Sequence, residues 1–568
     1  MTAPFEQVDM SEQDIAQTLT EAKAVLPQAV FEKIEIIVRA YSTLLKVLED
    51  KDISLARLRK ILFGPTSEKS RQVLGLHTTG DPARLTCGGL ACPHGSPDPK
   101  TSGKPKARRP PPPGHGRNGQ AAYSGAATEK VPHHRLKPGQ CCPGCRKGKI
   151  YDQRNRPGIL VRVMGQPPLT ATIYELQKLR CNLCGEIFEA DPPAGVGRDK
   201  YDETAASMIA LFRYGGGFPW NRLHKLQGGI GIPLPPSTQW EIVRDAAKRL
   251  EPAFEELQRA AAQGKLIHND DTPMKILAWM GKRREATLRE AANGRAPEDP
   301  KPDRTGIFTS GIVSSLKDRR IALFFTGLKH AGENLKALLA KRNPGLRSPI
   351  QMCDALARNV PQNFKTILAN CLAHGRRQFV DQAPNFPREC KHILDVLGSV
   401  YKNDAIAKKR ELSDAQRLKF HQDRSGPQME KLRAWMQTQI TDKKIEPNSG
   451  MGEAIAYMLK HWEKLTLFLN KAGAPLDNNI CERALKKAIL HRKNSLFYKT
   501  DNGAHVGDLY MSLIHTCDLN GVDPFDYLTQ LQRHAKELRA HPDQWMPWNY
   551  RPATTTLTGA TPRSPPPR

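Results

Sequence analysis

Long apolar runs are missing from this chain of 568 residues: none approaches the roughly 18 to 20 residues that a membrane-spanning helix needs. A helical membrane protein is therefore not expected. The opening stretch "MTAPFEQVDMSEQD" is acidic rather than signal-like, so a soluble, intracellular protein is expected. Cysteine is sparse, at 12 residues, and several (Cys353, Cys371, Cys390, Cys517) stand alone, which argues against a disulfide framework. That pattern fits a reducing compartment and leaves only clustered cysteines for metal. Acidic charge is also short, with 58 Asp and Glu against 86 Lys and Arg, a formal net charge of +28. Such an excess calls for a polyanionic partner, because each phosphate neutralised releases condensed counterions. Nucleic acid leads, and an acidic membrane surface comes second.

A chain this long is expected to hold several domains. After Pro27 the residues Ile34, Ile37, Tyr41, Leu44, Leu48, Leu55, Leu58 and Leu62 recur in steps of three and four, with Lys51 at one d position. They predict a leucine-zipper-like coiled coil over 28–63, and hence self-association; a helix packed inside a domain would show a similar stripe. Residues 64–126, including "KPKARRPPPPGHGRNG", lack core-forming side chains and are expected to be a flexible basic linker. It contains Cys87, Cys92 and His94, which read as loop residues rather than a metal site.

Residues 127–195 present two thiol pairs, Cys142 with Cys145 and Cys181 with Cys184, separated by β-rich sequence. Four thiolates suit tetrahedral zinc, although the interval between the pairs is longer than in common zinc ribbons and Cys141 competes as a ligand. Residues 201–263 read as helices broken at "GGIGIPLPP". Thr238 and Glu241 make a capping box, and Trp240, Val243, Ala247 and Leu250 share one face. Helix, glycine turn and helix is compatible with a helix-turn-helix DNA reader, and equally with two helices that merely pack together.

From Lys265 the pattern changes. "KLIHNDDTPMKILAWMGK", "TGIFTSGIVSS" and "RIALFFTGL" read as strands, "GENLKALLAKR" as a helix, and "SPIQMCDALARN" as a strand ending at Asp354. "FKTILANCLAHGRRQF" is a further strand running into a helix, and a long helical, charged insertion covers 381–473. That order is expected of a ribonuclease-H-like α/β core spanning 264–497. Beyond the insertion, Asp477 is placed to cap a helix beginning near Asn478, which puts Asn478 and Glu482 on one face. Ala484, Leu485, Ala488 and Ile489 line the face that seats it on the sheet. Asp270, Asp354 and Glu482, from two strands and a helix, suit a pair of divalent cations, Mg2+ or Mn2+, on oxygen ligands. Each acid alone reads as a cap or half of a surface ion pair. Residues 498–545 are expected to be a C-terminal helical domain, and 546–568 a disordered tail.

The blocks "HNDDTPMKIL", "QMCDALAR", "NCLAHGRRQF", "PLDNNICERALKKAILHRKNSLF" and "SLIHTCDLNGVDPFDYL" resemble, in order, the signature blocks of the insertion sequence 66 family of bacterial transposases. The resemblance runs from about residue 28 to about residue 530 and is most specific around Glu482. It implies a DDE transposase: binding of terminal inverted repeats, metal-dependent strand cleavage, then attack of the freed 3′ hydroxyl on target DNA.

By position the resemblance implies that Asp270, Asp354 and Glu482 are the catalytic acids, and that Cys142, Cys145, Cys181 and Cys184 are zinc ligands. Asp271 stands where the family usually has Glu, and "CDALARN" lacks the aromatic residues common after the second acid. Arg483, Lys486, Lys487, Arg492, Lys493 and Asn494 flank Glu482 and are expected to contact DNA. His374, Arg376 and Arg377 are candidates for the scissile phosphate, or simply a basic helix start. The implied partners are double-stranded DNA, at least a second copy of the chain, and small proteins of the same element; the implied place is the bacterial cytoplasm, at the nucleoid. The alternatives are a transposase-derived DNA-binding protein that no longer cuts, and a metal-dependent nuclease without strand transfer.

Overall fold

The computed structural model describes residues 135–143, 145–150, 168–180, 187–197, 199–285, 304 and 306–553. The expected coiled coil and linker, Cys87, Cys92, His94, Cys181 and Cys184 lie outside them. A short antiparallel pair comes first, β1 (Lys178–Arg180) with β2 (Ile187–Glu189). Helices α1 (Glu203–Ala210), α2 (Trp220–Gly229) and α3 (Pro236–Ala262) follow. Asp202 caps α1 by accepting the Ala205 N–H at 3.0 Å. Helix α3 starts at Pro236, before the expected capping box: the fixed φ of proline suits the first helical turn, so Thr238 lies inside the helix instead of capping it.

Five strands form one mixed sheet: β3 (Leu266–Pro273), β4 (Phe308–Leu316), β5 (Arg319–Gly327), then, after α4 (Ala331–Leu339), β6 (Ile350–Cys353) and β7 (Ile367–Asn370). The spatial order is β5-β4-β3-β6-β7. β3, β4 and β5 are antiparallel, whereas β6 runs parallel to β3 and β7 parallel to β6. β3 is therefore central. Its alternate residues point to two covered faces, which explains why Ile267, His268 and Asn269 are all buried.

Helix α5 (Leu372–Gln382) follows β7, and α6 (Pro387–Lys409), α7 (Asp414–Arg424), α8 (Gly426–Thr441), α9 (Gly450–Lys460) and α10 (Trp462–Leu465) make up the inserted stretch. Residues 378–398 group as a separate unit, in which Lys391 Nζ lies 2.7 Å from Asp395 Oδ2 one turn along. In the other unit the buried Asp404 collects Arg417 at 2.6 Å, Lys408 at 2.8 Å and His421 at 3.3 Å. Arg417 also donates to the Ala474 carbonyl at 3.2 Å, fixing the chain just ahead of α11 (Asn479–Ser495). Helices α12 (Asp501–Leu519), α13 (Pro524–Arg533) and α14 (Ala535–Ala540) follow, then a short helical turn at Pro542–Trp545.

The boundaries expected near 263 and 497 do not divide the core. One apolar cluster contains Val243, Leu250, Phe254 and Leu257 of α3, Ile312 and Phe324 of the sheet, Leu485 of α11, and Leu509, Leu513 and Tyr527 beyond it. Helices α3 and α12 both bury their apolar faces in this one cluster. The tail also starts later than expected: Met546 and Tyr550 are buried, and the Tyr550 hydroxyl donates to Asp526 at 2.8 Å. Among the described residues no helix is long and apolar enough to cross a membrane.

Candidate active site

The register of β3 with β6 pairs Leu266 with Ile350 and His268 with Met352. Continued by two residues, it brings Asp270 level with Asp354. On the other side β4 sets Gly311 opposite Asp270. Helix α11 lies across these strands, burying Cys481, Ala484, Leu485 and Ala488. It comes close because Gly311 has no side chain: a Cβ there would sit 2.9 Å from Leu485 Cδ2, and the Cys481 thiol donates to the Gly311 carbonyl at 3.2 Å.

Both ends of α11 are tied to β3 or its continuation. At the start, the buried Asn478 side chain donates to the Asn269 carbonyl at 3.2 Å, and its Oδ1 lies 3.0 Å from His268 Nδ1. Burial pushes His268 down to about 4, so the imidazole is neutral and supplies a single N–H. Asp477 accepts the Asn479 N–H at 3.2 Å, so the helix opens one residue later than the sequence implied. At the far end, Tyr498 exchanges backbone hydrogen bonds with Lys275 and Leu277, both at 2.9 Å. With both ends fixed, Glu482 in the first turn is held on the side of the two strand acids.

Asp270 thus lies beside Asp354 across the strand register, and the charge of Glu482 also acts on it. Burial, reinforced first by the charge of Asp354 and also by Asp271 and Glu482, pushes Asp270 from 3.8 up to about 7. Asn359, on the turn after Asp354, donates to Asp354 Oδ1 and lies 3.4 Å from Asp270 Oδ1. Its own carbonyl accepts from Asn269 and from Gln351, each at 2.8 Å. Asp271 points to the opposite face of β3, where its carboxylate accepts from His330 at 3.0 Å and from the Ala331 N–H at 3.3 Å, with Arg358 at 3.4 Å. It fixes the start of α4.

His374 Nε2 lies 3.7 Å from Glu482 Oε1. Donor atoms of Cys371, His374 and Glu482 all fall within 4.8 Å of one another. Arg376 and Arg377 follow on α5 and already have interactions within the chain. The α11 residues expected to contact DNA divide into two groups. Arg492 donates to Thr272 at 3.3 Å and to the Pro273 carbonyl, Lys487 pairs with Asp518 at 3.2 Å, and Asn494 donates to the Gly217 carbonyl at 3.1 Å. Arg483, Lys486 and Lys493 are exposed. Apart from these, Cys142 and Cys145 sit on a tight turn in which the Gly148 N–H lies 3.4 Å from Cys145 Sγ. That N–H and the one of Lys147 hold the Cys145 thiol below its ordinary value.

Sequence reasoning missed Asn359, the tie of Asn478 to β3 and the place of Cys371 beside Glu482. Only the spacing "DALARN" and the run "DNN" ahead of Glu482 signalled the first two, and both look like ordinary turn residues.

A mixed sheet with one acid on its central strand, one just past the end of the adjacent parallel strand and a third on a helix laid across them defines an α+β protein. The chain belongs to the Transposase IS66 family, whose family model matches residues 199–506, a span that includes all three acids. Relatives in Sinorhizobium fredii are similar over long stretches. The uncharacterized protein y4jD is 27% identical over 383 residues, 65% of this chain and 71% of that protein. The uncharacterized protein y4hP is 27% identical over 436 residues, 73% of each chain.

Proposed function

We propose that this protein is a DNA transposase of the DDE type with a ribonuclease-H-like core, which binds the terminal inverted repeats of its element and catalyses strand cleavage and strand transfer. The observation that carries the reading is the buried Asp270, pushed up to about 7 by burial and by the charges of Asp354, Asp271 and Glu482. Carboxylates that raise one another's proton affinity are relieved by a divalent cation, and an all-oxygen donor set suits Mg2+ or Mn2+. The residues present therefore fit the cations that the family implies.

Asp270, Asp354 and Glu482 would hold these cations. When bound, they neutralise the phosphate and favour both the attacking and the leaving oxygen of an in-line displacement. The rest falls to the chain itself. Asn359 orients the two strand acids with one amide group, which leaves their remaining oxygens for other partners. Gly311 and Asn478 set the height and phase of the helix bearing Glu482. Arg483, Lys486 and Lys493, exposed along the same helix, are proposed to hold DNA phosphates beside the acids.

A coiled coil over 28–63 is proposed to pair two copies so that two element ends are held together, with small proteins of the element assisting. Cys142, Cys145, Cys181 and Cys184 are proposed to hold a structural zinc; the N–H groups aimed at Cys145 support this by favouring its thiolate.

The test is a cleavage and strand-joining assay on DNA spanning the terminal repeats, with Mg2+, comparing wild type with Glu482→Gln. Specific nicks and joined products from wild type alone are expected. Equal activity in both would remove Glu482 from the chemistry, and binding without cutting by wild type would favour a DNA-binding protein that has lost catalysis.

A further inference from the structure

We propose that Cys371, His374 and Glu482 form a second cation site, of the zinc class, which shares Glu482 with the site proposed for Mg2+ or Mn2+. The consequence for activity rests on the transposase reading; the site itself does not. Cys371 is the residue between β7 and α5, and His374 lies three positions on, so one helical turn brings sulfur and imidazole to the same side. Glu482 arrives from the first turn of α11. The three donor atoms lie within 4.8 Å of one another, and His374 Nε2 is 3.7 Å from Glu482 Oε1.

That separation is too long for a hydrogen bond. It is close to the spacing of two donors on one tetrahedral ion, about 3.3–3.7 Å for bonds of about 2.0–2.3 Å. Cys371 Sγ accepts the Asn478 N–H at 3.3 Å, a bond that supports a thiolate once a coordinated cation has displaced its proton.

Sulfur, nitrogen and carboxylate together select a borderline cation such as Zn2+ or Co2+ over Mg2+, and three protein ligands leave a fourth position open. Glu482 cannot serve both groups at full strength. A zinc-class cation therefore draws it away from Asp270 and Asp354 and inhibits Mg2+-supported cleavage.

The first measurement is Co2+ binding by the full-length protein without DNA, followed by thiolate-to-cobalt charge-transfer absorption and by equilibrium dialysis. Cys371→Ser should lose one equivalent with its share of the absorption, and His374→Ala should bind that equivalent at least about tenfold more weakly. Cys142→Ser, in the separate cysteine cluster, should retain it. Unchanged stoichiometry and affinity in both Cys371→Ser and His374→Ala would overturn the site. Circular dichroism accompanies each variant, and if Cys371→Ser does not fold, His374→Ala decides, since its ring is partly exposed.

The second measurement is the Zn2+ concentration that halves cleavage in Mg2+. It should rise about tenfold or more in His374→Ala. Weakened binding with an unmoved inhibition midpoint would overturn the sharing of Glu482. A protein that binds Co2+ as expected but cuts no DNA would count against the transposase reading and leave the cation site standing.

Discussion

One amide group of Asn359 serves two carboxylates, donating to Oδ1 of Asp354 and lying 3.4 Å from Oδ1 of Asp270. Two side-chain amides, Asn269 and Gln351, grip the Asn359 carbonyl at 2.8 Å and hold the residue in place. Asn359 thus acts as a positioning residue for the acid pair. Asn359→Ala should lower divalent-cation affinity about 10- to 100-fold, with Mg2+-dependent cleavage falling alongside. Calorimetric titration with Mn2+ and a metal-dependence curve for cleavage would check this; unchanged affinity would sink the role.

Gly311 sets the distance between α11 and the sheet. Its missing Cβ would meet Leu485 Cγ at 3.0 Å and Cδ2 at 2.9 Å, and Leu485 is buried with little room to move. Gly311→Ala should cost about 1–3 kcal/mol of stability through overpacking. It should also reduce cleavage more than the loss of folded protein explains, because the helix that shifts carries Glu482. Urea unfolding and activity measured on one preparation separate the two effects. Adding Leu485→Ala should return part of the activity, and no recovery would argue against a steric cause.

Period and composition made much of this arrangement legible. Apolar runs such as "IALFF" and "GIVSS" gave the strands, and Ala484, Leu485 and Ala488 marked the face of α11 that is buried. Long-range pairing was not legible. Asn478 meets Asn269 across 209 positions, and nothing local distinguishes a turn asparagine from one that ties a helix to a strand. The same limit affected the residues expected on DNA: Lys487, Arg492 and Asn494 look like surface positions until Asp518, Thr272 and Gly217 are brought against them. The boundaries near 263 and 497 followed local composition, which does not reveal that α3 and α12 share one sheet.

Asp270 makes the metal-free protein sensitive to pH. Its folded-state value of about 7 lies above the ordinary 3.8, so the native state keeps a proton that the unfolded chain has lost. Stability therefore declines as pH rises from about 4 to about 7 and then levels off. Asp270→Asn removes that decline. In a chelator the variant should match wild type near pH 4 and become progressively more stable than wild type, by at most roughly 4 kcal/mol at pH 8. Asp508, also raised to about 7 by burial, titrates in both proteins and cancels in the difference. Urea unfolding across this range is the measurement, and a difference independent of pH would refute the assignment.

The division among the basic residues of α11 makes a separable prediction. Arg483, Lys486 and Lys493 are exposed, so replacing them with Gln should leave stability unchanged. DNA affinity should fall, and the slope of log affinity against log salt should flatten by about 0.9 for each phosphate that is no longer neutralised. Arg492 instead joins α11 to Thr272 and the Pro273 carbonyl at the end of β3. Arg492→Gln should cost about 1–2 kcal/mol of stability. Its salt slope should stay near the wild-type value, because its charge is committed to the protein's own backbone. Fluorescence anisotropy over a salt series, with unfolding curves for the same variants, tests both halves. If the Arg492 variant flattens the slope as much as removal of an exposed lysine does, its guanidinium leaves β3 to meet DNA, and the tether is not permanent.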